Sequence, residues 1–276
     1  MGTIADKLTY LNGTKTAIKE AIEAKGVTIT DADTFRSYAD KIGEISGGAP
    51  ATKYGVSIGD LLGNVDENGA YQIPTEPFTL DLSSVKSLPQ YGLYYKFYKS
   101  KVSGALRIGL EGDLSGIYAF NSCFRGCTGL TSVNLSSLTT VSGSNAMSNC
   151  FSDCTGLTSV DWSSLTTISG TSAMAYCFDN CTGLTSVNLS SLTTVSSSSA
   201  INSCFHGCNG LTTISFPALT SIVDKSFGSA SYNYIFGGCT ALTEIHFRAD
   251  MQATIEALSG YADKWGATNA TIYFSL

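Results

Sequence analysis

The segment Cys123-Phe124-Arg125-Gly126-Cys127 recurs as Cys150-Phe151-Ser152-Asp153-Cys154, Cys177-Phe178-Asp179-Asn180-Cys181 and Cys204-Phe205-His206-Gly207-Cys208, each 27 residues after the last. A fifth copy, Ile235-Phe236-Gly237-Gly238-Cys239, follows after a four-residue insertion. Behind each copy comes one phrase: Leu130-Thr-Ser-Val133-Asn-Leu135, Leu157-Thr-Ser-Val160-Asp-Trp162, Leu184-Thr-Ser-Val187-Asn-Leu189, Leu211-Thr-Thr-Ile214-Ser-Phe216 and Leu242-Thr-Glu-Ile245-His-Phe247. A fixed period of this length restricts the chain to stacked architectures, because so short a unit buries its apolar face only against its neighbours.

The spacing of Leu130, Val133 and Leu135 fits the L-x-x-L-x-L strand of a leucine-rich repeat, and Leu138 and Val141 continue the inward set beyond a bend. The expected fold class is an α/β repeat solenoid: a leucine-rich-repeat stack with a parallel sheet and the Cys-Phe-x-x-Cys segment on a helical turn. Weaker coils precede the regular ones, at Phe78 to Leu82 with Val85 and Leu88, then at Leu106 to Leu110 with Leu114 and Ile117. Phe97-Tyr98 stands where later coils have Cys-Phe, so aromatic side chains are expected to plug that end. After Phe247, the spacing of Met251, Ile255, Leu258 and Tyr261 predicts a helix and Ala270 to Phe274 a strand, a C-terminal cap over residues 248–276.

Charge is distributed unevenly. Only 14% of residues are charged, the net charge is −6, and no Lys or Arg occurs between Gly126 and Asp224. Residues 1–46, by contrast, hold 6 of the 16 basic and 7 of the 22 acidic side chains. Ser46-Gly-Gly-Ala-Pro50 marks the joint. In residues 1–46, Ile4, Leu8, Leu11, Ile18 and Ile22 follow helical spacing, and Phe35, Tyr38, Ala39 and Ile42 predict a further helix. So small a module needs a partner to be stable, so attachment and homo-oligomerisation are expected of it. Residues 47–77 read as linker and N-terminal cap, and residues 78–247 as the solenoid. The acidic balance argues against a nucleic-acid partner, and no apolar run is long enough for membrane insertion.

The phrase F-x-G-C-T-G-L-T-S-V-N-L resembles the BspA-like class of leucine-rich repeats over roughly residues 78 to 247. The N-terminal stretch IADKLTYLNGTKTAIKEAIEAKGV with DTFRSYADKIGEI resembles the start of tail-associated structural proteins of phages and prophages of gut bacteria. Together these resemblances imply a non-enzymatic virion protein, assembled in the host cytoplasm. Its N-terminal helices would grip a tail or baseplate protein, and its solenoid would meet a host cell-surface glycan or protein. The repeats alone imply the alternative, a cell-surface adhesin. The MGTIADKLTY start lacks the features of an export signal, which favours the virion reading.

Nine cysteines invite a test for metal, disulfide or core packing. A structural zinc site wants four ligands with second-shell support, and the repeated pair brings no His or acid in register. Disulfides between parallel Cβ vectors would be strained. Free Cys behaves as a small hydrophobe, so a buried thiol ladder is expected, with no metal and no cofactor. No catalytic motif appears, and the histidines are only His206 and His246. Gly63-Asn-Val-Asp66-Glu-Asn-Gly69 lacks the register of a calcium loop and reads as a turn.

What remains is surface. Strand alternation sends Ser132, Ser159, Ser186, Thr213 and Glu244 outward in one column and Asn134, Asp161, Asn188, Ser215 and His246 in the next. Both are candidate binding columns, set against plain solvation of a polar sheet. Tyr91, Tyr94, Tyr95 and Tyr98 form a candidate aromatic patch, set against core plugging. A threonine ladder, Thr131, Thr158, Thr185, Thr212 and Thr243, is a third candidate, for ice or glycan.

Overall fold

Two short strands per repeat, separated by a turn, build the solenoid. A computed structural model describes Lys19, the backbone of Gly55–Val56, and residues 73–228 and 234–275. The chain divides into two units, Met1–Gly55 and Val56–Leu276, and the repeats belong to the second. Apart from Lys19, the helices expected over residues 1–46 lie outside the described residues, as does the Gly63 to Gly69 turn.

The strands are β1 (Gly55–Val56), β2 (Thr79–Leu82), β3 (Ser103–Ile108), β4 (Gly112–Asp113), β5 (Gly129–Asn134), β6 (Leu138–Val141), β7 (Ser159–Asp161), β8 (Thr167–Ile168), β9 (Ser186–Asn188), β10 (Thr194–Val195), β11 (Thr213–Phe216), β12 (Ser221–Ile222), β13 (Glu244–Phe247) and β14 (Thr271–Phe274). Three sheets result, ordered β1-β2-β3-β5-β7-β9, β12-β10-β8-β6-β4 and β11-β13-β14. Pairing between successive coils is parallel, for example Val133 with Val160 and Val160 with Val187. The result is a parallel β-solenoid of about seven turns.

Few helices are present among the described residues, and the α/β expectation is corrected for the coils. The third side of each coil, where a helical turn was expected around Cys-Phe-x-x-Cys, is a run of tandem four-residue turns. Every fourth residue there has positive φ: Tyr118, Ser122 and Gly126 (53°, 52°, 76°), then Asn145, Asn149 and Asp153 (53°, 54°, 60°), then Ser172, Tyr176 and Asn180 (50°, 56°, 57°). A left-handed residue at each fourth position interrupts i→i−4 bonding, so an α-helix cannot propagate. The N–H groups instead alternate between two partners. Ala119 and Asn121 donate within their own coil, to Gly116 and Tyr118, while Tyr118, Phe120 and Ser122 donate to Ser144, Ala146 and Ser148 of the next. Each buried donor is thereby satisfied.

Inside, like residues stack. Phe97, Phe124, Phe151, Phe178, Phe205 and Phe236 form one row, with centroids 5.1, 5.6, 5.4, 5.8 and 6.3 Å apart and interplanar angles of 3° to 12°. Phe97 therefore occupies the Phe slot of its coil and Ser100 the second Cys slot. The Phe97-Tyr98 alignment expected from sequence is one residue out of register. Ile117, expected inside, is 42% exposed. Gly170 marks a close approach between coils: a Cβ there would stand 2.3 Å from the carbonyl oxygen of Gly143.

All nine cysteines are free and buried, as the thiol-ladder reading expects. The second of each pair has a further part. Cys127, Cys154, Cys181, Cys208 and Cys239 donate their thiols to the carbonyls of Phe97, Phe124, Phe151, Phe178 and Phe205 in the preceding coil, at 2.9 to 3.2 Å. Burial pushes every one of these thiols up, Cys127 to about 11 and Cys239 to about 12, with the others also raised.

Beyond Phe247 the chain forms a 3-10 turn (Ala249–Met251), a short helix α1 (Gln252–Glu256), a second 3-10 segment (Tyr261–Gly266) and β14, which pairs in parallel with β13. Met251, Ile255, Leu258 and Trp265 are buried there.

Two predictions follow from the stacking and the thiols. Phe178→Ala removes a fully buried ring from the middle of the row and should cost about 3–5 kcal/mol in urea unfolding; a loss under about 1 kcal/mol would show that the row is not a packing unit. The thiols set a pH limit. Their native pKa values lie above the ordinary value, so the stability they contribute is complete below about pH 8.5 and is lost as the unfolded chain begins to ionise. Each thiol adds a slope of about 1.4 kcal/mol per pH unit until its own native pKa is reached. The urea midpoint should fall steeply between about pH 9 and 11, and less steeply for Cys150→Ala/Cys177→Ala; a flat profile contradicts the buried-thiol account.

Candidate functional site

The outward columns of the first sheet are set by strand register. Ser132, Ser159 and Ser186 are aligned across β5, β7 and β9, and so are Asn134, Asp161 and Asn188. Inward-facing Val133 and Val160 are buried beneath them, which fixes the alternation. These eight positions, with Val187, line a shallow open depression of about 580 Å³.

The two columns are not equivalent. The second serves the fold: Oδ1 of Asn134, Asp161 and Asn188 accepts the backbone N–H of Ser136, Ser163 and Ser190 at 3.0, 3.0 and 3.2 Å. Asp81 does the same for Ser83 at 2.8 Å. These are Asx turns, which end the strand and bend the coil. Asn188 also donates Nδ2 to Asp161 Oδ1 at 3.3 Å. By contrast, the hydroxyls of Ser132, Ser159 and Ser186 take no protein partner among the described residues and face the depression. Arg107 extends the Asx column, opposite Asn134 on one side and Asp81 on the other. It was missed in the sequence because its coil lacks the Cys-Phe-x-x-Cys marker, although it lies 27 residues before Asn134.

The remaining candidates occupy a separate sheet. Thr213 pairs with Glu244, and Ser215 with His246, across β11 and β13. No pairing joins β9 to β11, so the ten candidate positions form two blocks instead of one continuous ladder. His246 stacks on Tyr273 of β14, centroids 4.8 Å apart at 14°, and its Nε2 lies 3.1 Å from Glu244 Oε2.

In the threonine ladder, Thr158, Thr185 and Thr243 donate their hydroxyls to the carbonyls of Thr131, Thr158 and Thr212 one coil back, at 2.9 to 3.3 Å. Those three hydroxyls join coils, while all five threonines stay exposed.

The aromatic candidates are also placed differently from the plugging expectation. Tyr91, Tyr94, Tyr95 and Tyr98 are 50%, 40%, 42% and 38% exposed, while Leu93 and Phe97 between them fill the core. With period-four turns, the inward positions are 93 and 97 and the tyrosines fall outside.

His206 forms a different cluster. Its Nδ1 lies 2.7 Å from Asp179 Oδ1 one coil back, and Arg125 Nε lies 3.3 Å from Asp153. Burial raises the Asp179 carboxyl, against the opposing pull of His206. No group of His, Cys, Asp and Glu with metal-holding geometry occurs among the described residues. What the surfaces offer is hydrogen bonding from hydroxyl and amide groups, and ring faces.

No curated protein matches the sequence. Among solved structures, the chain is similar to a leucine-rich cell surface protein from Faecalibacterium prausnitzii A2-165, at 14% identity over 71% of this chain and 62% of that one, with a TM-score of 0.25. It thus spans less than two thirds of that protein's chain. The family model of the BspA type leucine-rich repeat region matches in six copies, over residues 115–232 and 202–258. Those matches span the Phe row from Phe124 onward, the thiol ladder and the serine column, and the chain belongs to the BspA-type leucine-rich repeat family.

Proposed function

We propose that this chain is a non-catalytic binding protein that acts in adhesion at a bacterial cell surface, engaging a glycan or protein ligand through the first sheet. The observation that carries the reading is the depression over β5, β7 and β9, where three unpartnered serine hydroxyls repeat across three coils. Their spacing is that of adjacent strands, about 4.8 Å. The Asx column beside them is held by its own turns, so the surface is ordered before a ligand arrives, which lowers the cost of binding.

Family membership favours the adhesin over the virion reading. The family match begins at residue 115, whereas the resemblance to tail-associated proteins rests on residues 1–46, which lie outside the match. That resemblance is what supports the second reading, a virion protein attached through its N-terminal helices. In either setting the sheet face contacts the ligand, and the C-terminal segment ending in β14 serves as the cap of the array.

Ser159→Arg places a long side chain in the middle of the depression. Fluorescently labelled full chain should bind whole cells of gut bacteria or of the epithelium they colonise, with the variant reduced at least about tenfold, or about 1.4 kcal/mol, at unchanged melting temperature. Equal binding by parent and variant would place the ligand elsewhere.

A further inference from the structure

The tyrosines of the first described coils make a surface that the sheet face does not explain. Tyr91, Tyr94, Tyr95 and Tyr98 are joined by Tyr118 from the next coil. Tyr91 stacks on Tyr118 at 5.4 Å and 5°, and Tyr94 stands edge-on to Tyr91, Tyr95 and Tyr118, with centroids 5.6, 4.6 and 6.0 Å away. Tyr95 and Tyr98 are 5.4 Å apart. The rings brace one another while remaining open to solvent.

Their backbone positions are a second, independent observation. Tyr91, Tyr95 and Tyr118 have φ of 56°, 55° and 53°, a region that bulky side chains disfavour. Two coils on, the positions equivalent to Tyr91 and Tyr95 are Asn145 and Asn149, at 53° and 54°, the residue type that tolerates this conformation best after Gly. A tyrosine in such a slot is retained against local conformational preference, which points to a use for the ring.

Charge supplies the third observation. The protein is acidic overall, yet residues 83–110 contain Lys86, Lys96, Lys99, Lys101 and Arg107 and no acidic residue. Lys86 is engaged by Glu111 and Arg107 belongs to the sheet face, but Lys99 lies beside the rings, its Nζ 5.2 Å from the Tyr98 centroid. Tyr98, Lys99 and Lys101 line a depression of about 320 Å³ with Ile73, Pro74, Thr75 and Ser100. Downstream, from Gly126 to Asp224, no Lys or Arg occurs, so within the repeats these cations gather in the coils that carry the rings.

From the juxtaposition of exposed, braced tyrosine rings with Lys99 and Lys101, we infer a second binding surface, specific for an anionic polysaccharide. Sugar rings offer apolar C–H faces to aromatic rings and hydroxyls to the phenol groups, and their carboxylates or sulfates meet the lysines. The patch is a repeated row on a rigid coil edge, which suits a stiff polymer of repeated rings. An acidic peptide loses backbone freedom on binding, a cost that a stiff polysaccharide largely avoids. Lysines act as point charges without the fork of arginine, which suits scattered carboxylates.

Full-length protein and Tyr91→Asn/Tyr95→Asn are titrated with polygalacturonate, hyaluronate and heparin, and with polyglutamate and oligothymidylate as polyanions lacking sugar-ring faces or carrying bases. The Asn substitutions install the residues that stand at the equivalent positions two coils on, so folding is retained, and a melting curve checks it. Lys99→Gln/Lys101→Gln is the charge variant. At least one acidic polysaccharide should bind at low ionic strength, more tightly than polyglutamate or oligothymidylate. Affinity should drop at least tenfold in each variant, and binding should weaken in high salt. Binding unchanged by the tyrosine or the lysine substitutions would overturn the assignment. So would equal or tighter binding of polyglutamate or oligothymidylate, which would indicate an acidic-protein or nucleic-acid partner, or failure of all three polysaccharides to bind.

Discussion

Each coil of this protein can bury its inner face only against the coil before and the coil after, and it can do so only if equivalent side chains stay in step from coil to coil. This constraint explains why phenylalanines form one continuous row and cysteines two columns, and why a glycine stands where two backbones meet at Gly143 and Gly170. It also gives cysteine a physical role beyond filling space. A thiol is small enough for the interior, and in the second column it reaches the Phe carbonyl of the preceding coil. Alanine would fill much of the volume without the donor, and serine would bring a donor at a higher desolvation cost.

The same register multiplies polar side chains at the surface, and their partners separate those that serve the fold from those left over. Asn134, Asp161 and Asn188 close turns, and Thr158, Thr185 and Thr243 join coils. After these are discounted, the serine column and the tyrosine row remain. They lie on different sides of the coil, the first on the sheet and the second on the tandem turns, so one solenoid can engage two ligands of different chemistry.

Much of this arrangement was readable in the residues. The period gave the coils, the alternation of Ser132-Val133-Asn134 gave the inward and outward faces, and the lack of a partner for nine cysteines pointed to the core. The tandem turns are harder to read, although Asn145, Asn149 and Asp153 recur every fourth position and tolerate positive φ. A four-residue period lies close enough to the helical 3.6 to be mistaken for it. The plugging expectation for the tyrosines has a separate cause, the alignment of Phe97-Tyr98 with Cys-Phe, which is one residue out of register. The interruption between β9 and β11 has no counterpart in the sequence, where Ser186 to Thr213 keeps the same 27-residue step. Hydroxyl partners could not be assigned from sequence either, since a threonine that binds a carbonyl one coil back reads the same as one that faces water.

The tandem turns carry inter-coil backbone hydrogen bonds as the sheets do, and should hold the coils together as firmly. Amide hydrogen exchange on the full chain tests it most directly. The inter-coil donors Phe124, Phe151 and Phe178 should exchange as slowly as Val160 in the middle of the first sheet, all of them opening together as one unit. Rapid exchange at the phenylalanine amides beside slow exchange at Val160 would show that the sheets alone carry the fold, and the account given for the cysteines and the Phe row would then be wrong.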